Sequence, residues 1–230
     1  MAEFSKVKKF FKQEHLERPL IKYFYYPIAI FLSTIAISLN LSAHLVNLSG
    51  LLASIVSAVL IYFIGGKWMI LAGILVMYAY TIDLCDGTVA RYYNKKNAMG
   101  KWLDESSGFI GVSLVFFALM MRTFETDGKI LIIFLGFLAI FGYLMMNLAA
   151  ILSEVIRARF NLENPADKMR KKLSKGFFGV NPNVFAFSFE IQWTLIALCV
   201  MFNLSYGLFL VFGILSNLQW VSRYIVFLGK

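Results

Sequence analysis

Three carboxylates, Asp83, Asp86 and Asp104, stand among the most apolar stretches of this chain, and their spacing gives them a chemistry. The sequence reads Asp83-Leu-Cys-Asp86-Gly87-Thr-Val-Ala90-Arg91, then eight residues, then Gly100-Lys-Trp-Leu-Asp104-Glu-Ser-Ser-Gly108. Asp83 and Asp86 are three apart, so on a helix they share a face. Gly87 and Ala90 are small on much the same face and let a substrate or a neighbouring backbone approach closely. Arg91 follows one turn after Gly87 and can hold a phosphate oxygen. Gly100, Asp104 and Gly108 recur at i, i+4 and i+8, again on one face. Oxygen-only carboxylate clusters suit Mg²⁺ or Mn²⁺, which keep waters and substrate phosphates as remaining ligands. Two such ions can clamp both ends of a phosphoryl displacement. The plain alternative is a set of interface acids paired with Lys95, Lys96 or Lys101. With only His15 and His44 in the chain, a histidine-rich metal site is not expected.

The same stretch resembles the signature of the CDP-alcohol phosphotransferases, D-x2-D-G-x2-A-R-x8-G-x3-D-x3-D. Every fixed position matches at the right spacing except the last, where this chain has Gly108. The resemblance implies that Asp83, Asp86 and Asp104 hold a binuclear metal site and serve catalysis. It implies that Gly87, Ala90 and Arg91, with Gly100, accommodate the CDP part of a donor. It further implies an all-α membrane enzyme, working as a homodimer with Mg²⁺ or Mn²⁺. Such an enzyme moves a substituted phosphate from a CDP-linked donor to a lipid or soluble hydroxyl acceptor and releases CMP, in phospholipid or lipid-linked glycan synthesis. The short chain resembles the bacterial members, hence a bacterial inner membrane. In the family the fourth aspartate helps bind metal and is the proposed base, a role that Gly108 cannot fill. Two rivals follow from that departure. One is an altered or inactive relative that binds nucleotide or lipid, and the other is a transferase using a different nucleotide donor. A metal-ion channel or carrier also uses intramembrane acids, but it does not account for Gly87, Ala90, Arg91 and Gly100 at these spacings.

The elements that must position these residues are membrane spans. The chain has 230 residues, 60% of them hydrophobic, and a mean hydropathy of +0.72, which excludes an ordinary soluble domain. Apolar runs at 45–64, 68–91, 101–121, 130–156, 184–203 and 206–228 are each about 20 residues or longer, enough to cross the hydrocarbon core. A further run at 23–39 is borderline, and charge decides how it is read. With six spans and both ends cytosolic, every basic residue but Lys67, Arg122 and Lys129 falls on the inner side. Making 23–39 a span would move Lys6, Lys8, Lys9, Lys12, Arg18 and Lys22 outside, against the positive-inside rule. Residues 1–44 are therefore expected at the interface, and 45–230 as a six-helix transmembrane catalytic domain. Phe4, Val7, Phe10 and Phe11 fall on one helical face among lysines, the pattern of an interfacial helix on anionic lipid. The span 68–91 then runs inward, and the acids of both motif helices face the cytosol. The basic residues read as span flanks, and no nucleic-acid partner is expected.

Glu190 is the next acid that needs a reason. It lies about seven residues inside the fifth span, as Gly108 does in the third, so both sit ~10 Å deep. An acid at that depth should face a polar cavity or a partner. Glu190 is thus the expected substitute for the missing catalytic base, with a structural pairing as the plain alternative. Glu154, near the inner end of the fourth span, is a weaker candidate. Arg157 and Arg159 continue the fourth span into a basic loop with Lys168, Arg170, Lys171, Lys172 and Lys175. They are expected to bind an anionic headgroup or a phosphorylated acceptor, with Arg223 a further candidate. Many family members carry P-N-x-x-T before the first span, where this chain has Ala43-His44-Leu-Val-Asn47. His44 is a helix-start residue with a nucleotide contact as its alternative, and Asn47 can supply a hydrogen bond.

Overall fold

The computed structural model describes residues 4–95, 98–161 and 187–228. Among these the chain is helical, with no strand. A short helix α1 (Phe4–Lys8) leads through a 3₁₀ turn (Gln13–Glu17) to α2, which opens with a π-helical turn (Ile21–Tyr25) and continues as Tyr26–Ser38. Helix α3 (Ala43–Val59) ends in a second π turn (Leu60–Ile64), and α4 (Trp68–Tyr92), α5 (Ala98–Asp127) and α6 (Leu131–Phe160) follow. Helices α7 (Phe189–Met201) and α8 (Ser205–Leu228) close the described chain.

Local chemistry sets the helix ends. Asn40, Asn94, Asn161 and Asn203 all have φ between 51° and 54° and stand just past α2, α4, α6 and α7. Asparagine tolerates this left-handed geometry better than other side-chain-bearing residues, because its amide can bond locally. Asn40 and Asn203, each followed by Leu-Ser, are thus helix terminators. At the start of α3, the Ser42 hydroxyl accepts from the Leu45 N–H at 3.3 Å, an N-cap bond.

Six of the helices are long and apolar enough to cross a membrane: Ile21–Ser38, Ala43–Ile64, Trp68–Tyr92, Ala98–Asp127, Leu131–Phe160 and Ser205–Ile225. The number agrees with the sequence reading, but the set differs. Residues 21–38, assigned to the interface by charge, meet the length and composition of a span. The expected span 184–203 appears as the 13-residue α7, and the residues before 187 lie outside the described ones. The difference has a physical source. Charge asymmetry reports on loops, whereas an unbroken helix depends on the run itself, which begins at Ile21 with the π turn.

The chain divides into two compact units. The first comprises residues 1–122 and 189–204, so the N-terminal residues group with the motif helices and do not stand apart from them. Helix α4 is its centre, packed on α2, α3 and α7. Small residues allow the close approaches, since helices in lipid gain by backbone proximity and interhelical hydrogen bonds. A Cβ at Gly50 would lie 2.9 Å from Ile82 on α4, and one at Gly73 would lie 2.6 Å from the Ala197 carbonyl on α7. The Ser57 hydroxyl donates to the Ala72 carbonyl at 2.9 Å, tying α3 to α4. Helix α2 buries Ile21, Tyr25, Ala29, Ile30, Ser33 and Ile37 and exposes Phe24, Ile28, Phe31 and Ile35, one face for protein and one for lipid.

The second unit comprises residues 123–188 and 205–230 and rests on α6 against α8. Asn217 donates to the carbonyls of Leu138 and Gly213 at 3.1 and 2.7 Å and accepts from the Trp220 indole N–H at 2.9 Å. Gly142 leaves room for the Asn217 side chain. Thr123 donates to the Ser205 hydroxyl at 2.7 Å.

Candidate active site

Helix α4 carries Asp83, Asp86, Gly87, Ala90 and Arg91 in its last turns, and α5 carries Gly100, Asp104 and Gly108 in its first ones. The two helices bring their acids together. The side chains of Asp83 and Asp104 are within hydrogen-bonding reach of each other, and Asp86 lies close enough to both to feel their charge. Asp86 is buried, and its Oδ2 accepts from Asn47 Nδ2 on α3 at 2.7 Å. Asp83 is exposed to a cavity despite its place inside the helix, and Asp104 is half-buried. Lys101 pairs with Glu105 at 3.7 Å, and both lie within electrostatic reach of Asp104.

Acids this close repel one another unless a cation lies between them. An all-carboxylate donor set is what Mg²⁺ or Mn²⁺ takes. Among the described residues, however, no three His, Cys, Asp or Glu side chains converge on one point. Asp83 and Asp104 face each other, whereas Asp86 is turned to Asn47. The set fits a cation in residue type and neighbourhood, and Asp86 would have to swing from its amide partner to join.

Arg91 is held from an unexpected side. Its Nε donates to the Phe10 carbonyl at 2.6 Å, and one terminal nitrogen reaches the Thr88 hydroxyl at 3.4 Å. The terminal fork lies over Gly87, 3.4–3.5 Å from where a Cβ would stand. The Phe10 ring meets Tyr92 edge-on at 5.2 Å, and Phe11 meets Tyr26 at 4.8 Å. Val7 and Phe11 are buried. The apolar face of the N-terminal segment, read from sequence as a lipid-facing surface, thus lies partly on protein.

A small cavity lies beside the acids. Asn47, Gly50, Ser54, Asp83, Ser107, Gly108 and Trp193 are among its walls. It is open on one side, with a volume of ≈ 20 Å³, room for about one water. A Cβ at Gly108 would meet nothing within 4 Å, so the missing carboxylate leaves open space there. From α7 the cavity receives Trp193. Glu190, one turn earlier, is 3% exposed and accepts from Arg18 Nη1 at 2.7 Å. Glu190 stands in the first turn of α7, not seven residues inside a described helix, and the packing gives it an arginine.

The remaining candidates divide by position. Arg157 donates from Nε to the Ser153 carbonyl at 2.9 Å, and Arg223 donates to the Met146 carbonyl at 3.1 Å. The two cations lie within electrostatic reach of each other in the second unit. Arg159 is exposed. Lys168, Arg170, Lys171, Lys172 and Lys175 lie outside the described residues. His44 is exposed in the first turn of α3. Arg18 and the Phe10 carbonyl were not found from sequence. The signal for Arg18 was indirect, because a buried acid needs a cation.

His15, in the turn between Phe10 and Arg18, gives the N-terminal segment a pH dependence. Burial, with the cations of Lys12, Arg18 and Arg91 nearby, lowers its pKa from 6.5 to about 4. The docked segment therefore holds a neutral imidazole, while a released one would take up a proton below ~6.5. Docking is expected at full strength above that pH and to weaken as pH falls from ~6.5 toward ~4. Thermal unfolding across that range should show the acid-side loss, and His15→Gln should flatten it. An equal slope in the variant would assign the loss elsewhere.

Residues 39–225 match the sequence model of the CDP-alcohol phosphatidyltransferase family. Comparison with individual curated proteins gives no match. The family match spans most of the chain, both motif helices included. The chain belongs to the CDP-alcohol phosphatidyltransferases, a family of integral membrane transferases of phospholipid synthesis.

Proposed function

We propose that this member of the CDP-alcohol phosphatidyltransferase family transfers a substituted phosphate from a CDP-linked donor to a hydroxyl acceptor and releases CMP. The observation that carries the reading is the meeting of Asp83 and Asp104 across two helices, with Asp86 beside them and the Arg91 fork over Gly87. Asp83, Asp86 and Asp104 are the residues that would hold Mg²⁺ or Mn²⁺, as one ion or two. Bound there, such ions would offset the negative charge of the diphosphate and of the departing CMP.

The chain's own groups do the rest. Gly87 and Ala90 let the diphosphate come close to α4, and Arg91 binds it through its terminal nitrogens. Gly100, near the start of α5, leaves room on the same side. The acceptor hydroxyl enters the cavity at Gly108 and its oxygen attacks phosphorus. The bond from phosphorus to the CMP oxygen breaks, and CMP leaves with the electron pair. The acceptor's proton goes to a carboxylate. Asp83, exposed at that cavity, is the group that receives it. Arg157 and Arg223, two neighbouring cations of the second unit, bind an anionic headgroup or phosphorylated acceptor, with Arg159 adding charge nearby. The enzyme works as a homodimer in a bacterial inner membrane, with its acids facing the cytosol.

Gly108 favours one second reading, a relative that binds nucleotide without turnover. A donor screen decides. Purified protein in lipid with Mg²⁺ should release CMP from CDP-linked donors. Release of UMP from UDP-linked donors would reassign the nucleotide, and CMP binding without release would establish the second reading.

A further inference from the structure

We propose that the Arg18–Glu190 ion pair is a latch that keeps the N-terminal segment over α4, so that the Phe10 carbonyl sets the direction in which Arg91 presents its terminal nitrogens. Arg18 and Glu190 are then positioning residues for Arg91, and the inference rests on the reading of Arg91 as a phosphate-binding group.

A guanidinium has five N–H donors on two terminal nitrogens and Nε. In this structure Nε is committed to the Phe10 carbonyl at 2.6 Å. That bond fixes the side chain by its inner nitrogen and leaves the terminal pair over Gly87, the arrangement a bidentate phosphate contact requires. The carbonyl is itself fixed only while the segment stays docked. Consecutive turns transmit the constraint: Phe11 N–H to Lys8, His15 N–H to Lys12 and Arg18 N–H to His15, at 3.1–3.2 Å. Val7 and Phe11 anchor one end by burial. Arg18 anchors the other, reaching Glu190 at 2.7 Å with its own side chain 42% exposed and that of Glu190 4% exposed. Losing Arg18 removes a charge-assisted partner from a buried acid, so the segment has reason to rearrange. The latch also joins α7 to the motif helix through the N-terminus, which no sequence pattern displayed.

The test uses the full chain in lipid nanodiscs. Arg18→Gln and Glu190→Gln should each raise the donor KM by ~10-fold, the equivalent of one charge-assisted contact, with kcat within about threefold. Arg18→Lys should keep most of the affinity, and the exchange Arg18→Glu with Glu190→Arg should recover part of it. Docking is read separately by a thiol reagent on Val7→Cys, since Cys85 and Cys199 are both buried. Labelling should be slow in the parent background and at least severalfold faster with either latch variant. Unchanged KM and unchanged labelling would overturn the latch. So would a kcat collapse in Glu190→Gln with Arg18→Gln silent, which would make Glu190 the proton acceptor. If the parent neither binds nor turns over a CDP-linked donor, the functional reading fails. The labelling rates then still judge the latch, faster labelling supporting it and unchanged labelling overturning it.

Discussion

Asp83→Ala and Asp86→Ala should each lower kcat/KM by about 10³-fold or more while the protein stays folded in the membrane. Charge stabilisation by a bound divalent ion is worth several kcal/mol, and each ~1.4 kcal/mol is tenfold in rate. Both substitutions remove an oxygen donor from the set that would hold it. Their effects on stability should differ from that on rate. Asp86 is buried and accepts a hydrogen bond from Asn47, so its loss removes a costly buried acid and leaves one amide donor without its acceptor. Asp83 is exposed to the cavity and repelled by Asp104. Thermal stability without Mg²⁺ should therefore hold or rise in both variants, and the stabilisation given by added Mg²⁺ should vanish. Chelation of the parent should reproduce the activity loss. Full activity in either variant would remove the acids from the chemistry.

Gly108→Asp is the substitution with the opposite sign. A Cβ there meets nothing within 4 Å, and the cavity it enters is shared with Asp83 and Ser107, so the carboxylate is accommodated without displacing backbone. If the acceptor oxygen enters this cavity, a second carboxylate there should raise turnover by ~10²-fold, the lower end of general-base effects. Gly108→Asn separates charge from bulk, because it fills the same space without a base. Equal gains in both variants would point to packing. A loss in both would mean that the acceptor itself needs the space that glycine leaves.

The motif was legible because its constraint is local. Spacing along a helix puts Asp83 and Asp86 on one face, and Asp104 and Gly108 on another, whatever the surroundings. The apolar runs were legible for a similar reason, since a bilayer crossing is set by length and composition. The status of residues 21–38 was harder to read, because the charge rule weighs loops and the helix itself carries too little charge to speak. The asparagines that end four helices were visible as residues, but their role depends on a backbone angle that sequence does not display.

By itself, then, the sequence determined an all-helical membrane chain, a family, and three acids on two helices with a glycine in the fourth place. The tertiary structure decided which groups these residues meet. Asn47 claims Asp86, Phe10 claims Arg91, and Arg18 claims Glu190. Each of those contacts joins residues that are far apart in the chain, across separate elements. Whether they form depends on how the helices are rotated about their axes, and a single-helix period is blind to that angle. That Glu190 would need a partner followed from its place in an apolar run, while the identity of that partner followed from the packing of α7 on α4 and of the N-terminal segment beside it.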